Sequence, residues 1–148
     1  MRSWSVRARA PRGDLTTPPL ISDSDILAAH LQDAAHFPGG HASGLVFPAS
    51  EGEVAAALRA SRQILPIGAQ SSLTGGATPM GGIVLSTVKL TGIEEIATDL
   101  VRVGAGVTLL DLDSALAASG RYYPPIPTFT GAFVGGTVAT NAAGSATF

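Results

Sequence analysis

Short apolar runs alternate along this sequence with helical patterns and with loops rich in Gly, and this order limits the folds open to the chain. The apolar runs are too brief, and their order is too irregular, for a doubly wound parallel sheet. We therefore predict a mixed α+β fold. The predicted strands are residues 45–47, 65–67, 83–86, 93–96 and 100–103, the last two joined by a turn at 98–99.

Helices are predicted from apolar spacing together with capping residues. Ser50 and Glu53 form a capping box, in which the hydroxyl accepts from the third helical N–H and the carboxylate accepts from the backbone before the helix. Thr108 likewise precedes a helix that ends before Gly120. The predicted helices are residues 23–35 after an N-cap at Ser22, 51–63, 109–119 and, with an extended segment as the alternative, 137–143.

The length of 148 residues predicts one domain. Residues 1–21 form an irregular basic lead-in, because Pro and Gly recur there and four Arg precede the first acid, Asp14. A disordered leader is the interpretation we favour for this arm, and an organelle transit peptide is the alternative. Residues 22–148 are predicted to form the folded domain.

Charged residues are scarce, at 14% of the chain, and the net charge is −2. This composition indicates that a cofactor, a partner chain or further sequence covers part of the surface, unless the domain is simply rich in Ala. Without a stripe of Lys and Arg the chain does not fit a nucleic-acid-binding protein. The sequence has no Cys for disulfide or thiolate chemistry, and no apolar run long enough to span a bilayer, so we expect a cytoplasmic protein.

The loop at residues 68–76, Gly-Ala-Gln-Ser-Ser-Leu-Thr-Gly-Gly, is the most informative stretch. Gly and Ser let consecutive backbone N–H groups approach a ligand closely, which suits the oxygens of a diphosphate. No Lys follows the glycines, so the loop is not of the Walker A type. A flexible turn between strands is the alternative interpretation.

Two further stretches are rich in small residues. Residues 104–109 contain Gly-x-Gly between a strand and a helix, but Leu109 stands where a dinucleotide-binding fingerprint requires a third Gly. A simple strand-to-helix turn is therefore the favoured interpretation there. Residues 134–144 have small side chains at nearly every position, which permits close packing of either another helix or a planar ring or nucleotide.

No set of residues predicts a metal site or a hydrolytic centre. His30, His36 and His41 are not spaced as ligands on one helix face, because Pro and Gly intervene at 38–40. No Ser lies in a Gly-x-Ser-x-Gly motif. We therefore expect no metal, and we assign no catalytic residue in this chain.

Four motifs, each weak alone, become specific through their order and spacing. In residues 37–148 the chain resembles the FAD-binding domain of the vanillyl-alcohol oxidase / p-cresol methylhydroxylase (PCMH-type) superfamily, and it is most similar to the branch of D-lactate dehydrogenases and the glycolate oxidase FAD subunit. The motifs are Pro-Ala-Ser-Glu-Gly-Glu-Val at 48–54, Gly-x-x-x-Ser-Leu-Thr-Gly-Gly at 68–76, Gly-Val-Thr-Leu at 106–109 and Gly-Gly-x-Val-Ala-Thr-Asn-Ala-x-Gly at 135–144.

The resemblance implies an α+β domain of small mixed sheets with flanking helices, and it implies roles for individual residues. The loop at 68–76 would bind the FAD pyrophosphate through backbone amides, with two Ser hydroxyls as further donors. A Pro-containing loop would lie beside the flavin or its ribityl chain, and the 135–144 stretch would line the other side of the dinucleotide. The implied cofactor-binding residues are Ile67, Gly68, Ala69, Gln70, Ser71, Ser72, Gly75, Gly76, Pro125, Gly135, Gly136, Thr140, Asn141 and Gly144.

Three positions depart from the family pattern. Gln70 stands where relatives with a covalent flavin carry His in this loop, which implies non-covalent FAD. Ile126 replaces an Asp that is frequent in a Pro-Pro-Asp-Pro segment, and Thr137 replaces a frequent Asn. The last two departures affect the expected surroundings of the flavin and the substrate rather than FAD binding itself.

The resemblance implies an FAD-dependent oxidoreductase that oxidises a small 2-hydroxy acid such as D-lactate or glycolate. Chains of this family continue past the last motif, so we expect only the N-terminal portion here, without the substrate-binding cap, and with a possible partner chain. The alternatives are a catalytically inactive fragment or accessory flavin-binding module, and a flavin oxidase of another alcohol. A nicotinamide dehydrogenase fits the sequence less well, because the 104–109 stretch lacks the third Gly of the dinucleotide-binding fingerprint.

Overall fold

The computed structural model describes residues 16–97 and 100–144, without the side chains of residues 95–97. The predicted turn at 98–99 and most of the basic lead-in, residues 1–15, lie outside the described residues. The helices are α1 Ser24–Ala28, α2 Glu51–Ala60, α3 Leu109–Ala117 and α4 Val134–Ala139. The strands are β1 Gly44–Val46, β2 Ile64–Ile67, β3 Ile83–Ser86, β4 Ile93–Ala97 and β5 Leu100–Val103.

The fold contains two small sheets, which confirms the prediction of a mixed α+β domain. β1, β3 and β2 form a parallel sheet in that order, with Leu45 opposite Val84 and Ile67 opposite Ser86. β4 and β5 pair antiparallel, with Ile93 opposite Val103.

The core lies on both faces of the parallel sheet. Side chains alternate along a strand, so neighbouring residues of β1 and β3 serve different faces. Leu45, Ile67 and Val84 form one buried cluster. The other cluster contains Val46 and Leu85 and lies against Ala57 of α2.

Local capping fixes the starts of α2 and α3, as predicted. The Ser50 hydroxyl accepts from Glu53 N at 3.2 Å, and the Glu53 carboxylate accepts from Ala49 N at 2.8 Å. The Thr108 hydroxyl accepts from Asp111 N at 3.0 Å. These bonds satisfy N–H groups that have no partner within the first turn of a helix.

The predicted helix over 23–35 is wrong in extent, because α1 ends at Ala28 and its N-cap is Asp23 rather than Ser22. Beyond it, backbone carbonyls of His30 and Gln32 accept from the side chain of Gln70. A continuing helix would use those carbonyls for its own hydrogen bonds. Tertiary contacts therefore override the helical pattern.

The predicted element at 137–143 is a helix rather than an extended segment. This helix, α4, begins three residues earlier than predicted, at Val134. Phe133, at its N-cap, pairs with Thr108 in an antiparallel bridge. Among the described residues, no helix has the length and apolar character needed to cross a membrane.

Candidate functional site

The 68–76 loop starts at the carboxyl edge of the parallel sheet, directly after β2. Ile67 is only 2% exposed, and its carbonyl oxygen accepts from both the backbone N and the hydroxyl of Thr87, at 3.0 and 3.1 Å. Thr87 follows β3, so two neighbouring strands are tied together where they end. The first residues of the loop therefore have a fixed starting position.

Most backbone donors of the loop are left free. The N–H groups of Ser71, Ser72, Leu73, Gly75 and Gly76 donate no hydrogen bond to any other residue that the structure describes. The Leu73 side chain is 79% exposed, so the tip of the loop faces the surface. Free N–H groups grouped in one short loop form a surface that can bind an anion.

Gln70 fastens the start of the loop to the chain before β1. Its backbone has a φ of 51°, which a residue other than Gly adopts only where other contacts require it. Its side-chain amide nitrogen lies 3.1 Å from His30 O, 3.0 Å from Gln32 O and 3.3 Å from Ala77 O. The backbone carbonyl oxygen of Gln70 accepts from Ala34 N at 2.9 Å.

Asp33 fastens the other end of the loop, and sequence reasoning missed it. The residue is 3% exposed, and its carboxylate accepts from Ala77 N at 3.2 Å and from Ala35 N at 3.1 Å. Burial raises the pKa of the Asp33 carboxyl, but these two N–H groups and the hydroxyls of Thr78 and Ser72 outweigh it and lower the pKa below its ordinary value. Asp33 is therefore a buried carboxylate that stays ionised.

The hydroxyl groups of Ser71 and Ser72 differ in their surroundings. Ser71 is exposed, whereas Ser72 is half-buried, with its hydroxyl 3.2 Å from the Thr74 hydroxyl. The Ser71 hydroxyl is thus the more accessible of the two to a ligand.

The segment at 104–109 holds the start of α4. Val134 N donates to Val107 O at 2.9 Å, and Gly135 N donates to Ala105 O at 3.0 Å. A methyl group on Gly135 would lie 2.7 Å from the Ala105 side chain. Gly135 is therefore needed for packing within the protein, and its predicted contact with the cofactor stays a prediction.

Phe133, at the N-cap of α4, lies next to the start of the 68–76 loop. A methyl group on Gly68 would lie 3.4 Å from Phe133 Cβ, so the beginning of the loop and the N-cap of α4 are neighbours. The structure thus brings the 68–76 loop and the 104–109 turn together at the start of α4.

The residues of α4 and its C-terminal end differ in accessibility. A methyl group on Gly136 would meet no atom within 4 Å, and Thr140 and Asn141 are exposed. The Thr140 hydroxyl donates to Gly136 O at 2.8 Å, and Asn141 has a φ of 50°. Gly136 therefore faces open space, as a residue beside a ligand would.

The Pro125 loop lies against the end of the 134–144 stretch. Pro125 is half-buried, and a methyl group on Gly144 would collide with the carbonyl oxygen of Ile126. The close backbone approach explains the Gly at position 144. It also places the Pro125 loop beside the 134–144 stretch.

An apolar cavity of about 180 Å³ lies elsewhere, at the amino edge of the parallel sheet. Its lining includes Leu20, Ala57, Ile64 and Ile83, so it does not involve the glycine-rich stretches. No cluster of three metal-ligating side chains occurs in the part of the chain that the structure describes. The arrangement offers backbone donors and small residues for binding.

A family model described as an FAD binding domain matches residues 42–148, which is most of the chain. A D-lactate dehydrogenase of Archaeoglobus fulgidus is 44% identical over 106 residues, covering 68% of this chain and 24% of that protein. A D-lactate dehydrogenase of Anaerostipes hadrus is 37% identical over 107 residues, covering 68% and 22%. The chain therefore spans less than a quarter of the length of these relatives.

Solved structures show the same fold. An alkyldihydroxyacetonephosphate synthase superposes with a TM-score of 0.70 at 18% identity, covering 84% of this chain and 29% of its own. Cholesterol oxidase from Brevibacterium sterolicum superposes with a TM-score of 0.61 at 21% identity, covering 77% and 24%. These comparisons confirm the resemblance to the PCMH-type superfamily, and the chain belongs to the FAD binding domain family.

Proposed function

We propose that this chain is the N-terminal part of the FAD-binding domain of an oxidoreductase that oxidises a small 2-hydroxy acid of the D-lactate or glycolate type. Two D-lactate dehydrogenases, 44% and 37% identical to the chain, support the substrate class. A protein of Mycobacterium tuberculosis described as an FAD-linked oxidoreductase, 38% identical over 104 residues, supports the cofactor and the redox chemistry. The cytoplasmic location and a partner chain stay predictions from the sequence.

The free N–H groups of the 68–76 loop are the observation that carries the proposal. Five of them, from Ser71 to Gly76, have no acceptor among the described residues, and the exposed hydroxyl of Ser71 adds a donor. A diphosphate offers several anionic oxygens close together and needs donors of this kind. The donor set therefore fits the pyrophosphate of FAD, with Ile67, Gly68 and Ala69 leading the chain into the site.

The remaining predicted residues form the other side of the proposed site. Gly136 faces open space and leaves room for a ligand beside α4, and Thr140 and Asn141 are exposed at its end. The Pro125 loop lies next to Gly144 and would contact the flavin or its ribityl chain. Gly135 supports this side indirectly, through its packing on Ala105.

FAD is proposed to be bound non-covalently. The side chain at position 70 is Gln, and its amide is occupied by three backbone carbonyls of the protein. An amide is also not a nucleophile suited to attack on the flavin ring. The residues of this chain therefore contribute binding and orientation.

When bound, FAD supplies the redox chemistry by accepting a hydride, and the protein supplies position and electrostatics. The loop donors would hold the pyrophosphate, so that the position of the flavin follows from a rigid backbone rather than from mobile side chains. We assign no catalytic residue to this chain.

Two measurements test the proposal. The first is the visible spectrum of the purified, desalted chain, with mass identification of the material released on denaturation; a flavin spectrum with released FAD is expected. The second is anaerobic reduction of the flavin by D-lactate or glycolate in the complete polypeptide that contains this domain. Bleaching by a 2-hydroxy acid is expected, and a flavin that no 2-hydroxy acid reduces contradicts the substrate class.

A further inference from the structure

The 30–37 segment departs from the helix predicted for it and runs beside the 68–76 loop. We infer that this segment holds the loop in its FAD-binding conformation before FAD arrives, with Gln70 and Asp33 as the positioning residues. The inference rests on the proposed role of the loop in FAD binding, and it adds a determinant of affinity that acts through contacts within the protein.

Gln70 supplies the first set of contacts. Its amide nitrogen has two hydrogens and lies within 3.3 Å of three carbonyl oxygens, those of His30, Gln32 and Ala77. The side chain thus connects the 30–37 segment with both ends of the loop. Its role is that of a donor, so any side chain of similar length that keeps N–H donors should preserve it.

Asp33 supplies an independent second set. Its carboxylate accepts from Ala77 N at 3.2 Å, and its backbone N donates to the Thr78 hydroxyl at 3.3 Å. These contacts hold the backbone of Ala77 and the side chain of Thr78, just after the loop. They leave the N–H groups of residues 71–76 free, except that Thr74 N donates to Ser72 Oγ.

Phe37 adds a steric contact at the end of the same segment. A methyl group on Gly75 would lie 2.9 Å from the Phe37 ring, and Gly75 has a φ of 80°. Gly75 therefore adopts a conformation that Gly alone adopts readily, directly against the ring. Hydrogen bonds and ring packing thus act together on one short loop.

The consequence for FAD is a smaller ordering cost on binding. A loop of this length without regular structure loses backbone freedom when it converges on a ligand, and that loss weakens affinity unless the loop is already ordered. Because the 30–37 segment orders the loop when the chain folds, the loop loses less backbone freedom when FAD binds. Loss of its contacts should therefore raise the dissociation constant of FAD, although the contacting atoms of the loop remain.

The test compares Gln70→Met, which keeps the length and loses the donors, with Gln70→Lys, which keeps three donors. Gln63→Met is the matched control, because Gln63 is an exposed Gln whose amide donates to one backbone carbonyl, Met80 O, at 3.4 Å. FAD titration of the flavin-free chain should give a dissociation constant about tenfold higher for Gln70→Met, the effect of one or two lost hydrogen bonds. Gln70→Lys should stay within about threefold of the unaltered chain, and Gln63→Met should not change it.

Hydrogen exchange of the flavin-free chain provides a readout that does not need FAD. Gln70→Met should speed exchange of the amides whose hydrogen bonds depend on the position of the loop, those of Ala34, Ala77 and Thr78, and Gln70→Lys should restore slow exchange there. Equal FAD affinity and equal exchange in Gln70→Met and the unaltered chain would overturn the inference. Equal weakening by Met and Lys would overturn the donor role.

Gly76→Val separates failure of this inference from failure of the proposed site. A methyl group on Gly76 would meet only ordinary contacts, the nearest at 3.6 Å, so the variant should fold, but its side chain stands among the proposed phosphate donors. If Gly76→Val loses FAD while Gln70→Met retains it, the site stands and the positioning role is wrong. If neither variant changes FAD affinity, the loop is not the binding site and both are wrong.

Discussion

The side-chain amide nitrogen of Gln70 lies 3.0 Å from the carbonyl oxygen of Gln32, thirty-eight residues earlier in the chain. This hydrogen bond uses a carbonyl that a longer α1 would need for its own backbone, and it fixes the start of the 68–76 loop in the same contact. Asp33 acts in parallel on the far end of the loop, through Ala77 N. The loop proposed to bind FAD is therefore shaped by a segment with no family motif of its own.

Gly136→Val tests whether FAD lies beside α4. The added side chain meets no protein atom near its first carbon, so the free energy of unfolding should stay unchanged or rise slightly, since Gly is unfavourable within a helix. The dissociation constant of FAD should rise at least about tenfold, because the side chain would occupy ligand space. Gly92→Val, also in open space but in the loop before β4, is the control. An unchanged dissociation constant of FAD in Gly136→Val would show that FAD does not lie beside α4.

Gly135→Val, unlike Gly136→Val, should lower the free energy of unfolding of the flavin-free chain. Its first side-chain carbon would lie 2.7 Å from the Ala105 side chain and 2.9 Å from Ala105 O, so the backbone must shift. The expected loss is about 1–3 kcal/mol in the free energy of unfolding, as for other overpacked sites. Urea denaturation of the flavin-free variant measures it, and an unchanged midpoint would contradict the packing described for α4.

Asp33 should make the stability of the fold depend on acid pH. Its pKa is lowered in the folded chain, so its contribution is fully present above the ordinary pKa of Asp, about 3.9, and is lost as the pH falls through the folded value. Asp33→Asn should remove this dependence and cost about 1–3 kcal/mol at neutral pH, because a buried carboxylate acceptor is replaced. The matched control is Asp113→Asn at an exposed position on α3. Identical denaturation profiles against pH for Asp33→Asn and the unaltered chain would refute the role.

Ser50→Ala should lower the free energy of unfolding by about 1 kcal/mol, since Glu53 N loses its acceptor at the start of α2. Ser114→Ala, within α3, provides the comparison. Its hydroxyl donates to Leu110 O, a contact that adds little to helix stability, so this substitution should be neutral. Thermal denaturation of the two variants would show equal losses if the capping box were unimportant.

Features that depend on neighbouring residues were predictable from the sequence. The capping box at Ser50 and the N-cap at Thr108 located α2 and α3, because both depend on hydrogen bonds within three or four residues. The five apolar runs located all five strands to within about a residue at most ends, and the order of the family motifs indicated the cofactor.

Features that depend on distant contacts were not predictable. The apolar spacing of 23–35 resembles a helix, and nothing local reveals that His30 O and Gln32 O bond Gln70 instead. Asp33 falls within the predicted 23–35 helix, and its burial arises only when residues 77–78 pack against it. The reason for Gly135 was likewise hidden, because Ala105 lies thirty residues away in sequence.

The most direct test of the proposed site is hydrogen exchange of the chain with and without FAD, followed in peptides that cover residues 70–77. The free N–H groups of Ser71, Ser72, Leu73, Gly75 and Gly76 should exchange more slowly when FAD is bound, because each gains a phosphate acceptor. Protection of this loop, with weaker protection near Gly136, is the predicted result. Binding of FAD that leaves the exchange of residues 70–77 unchanged would contradict the site.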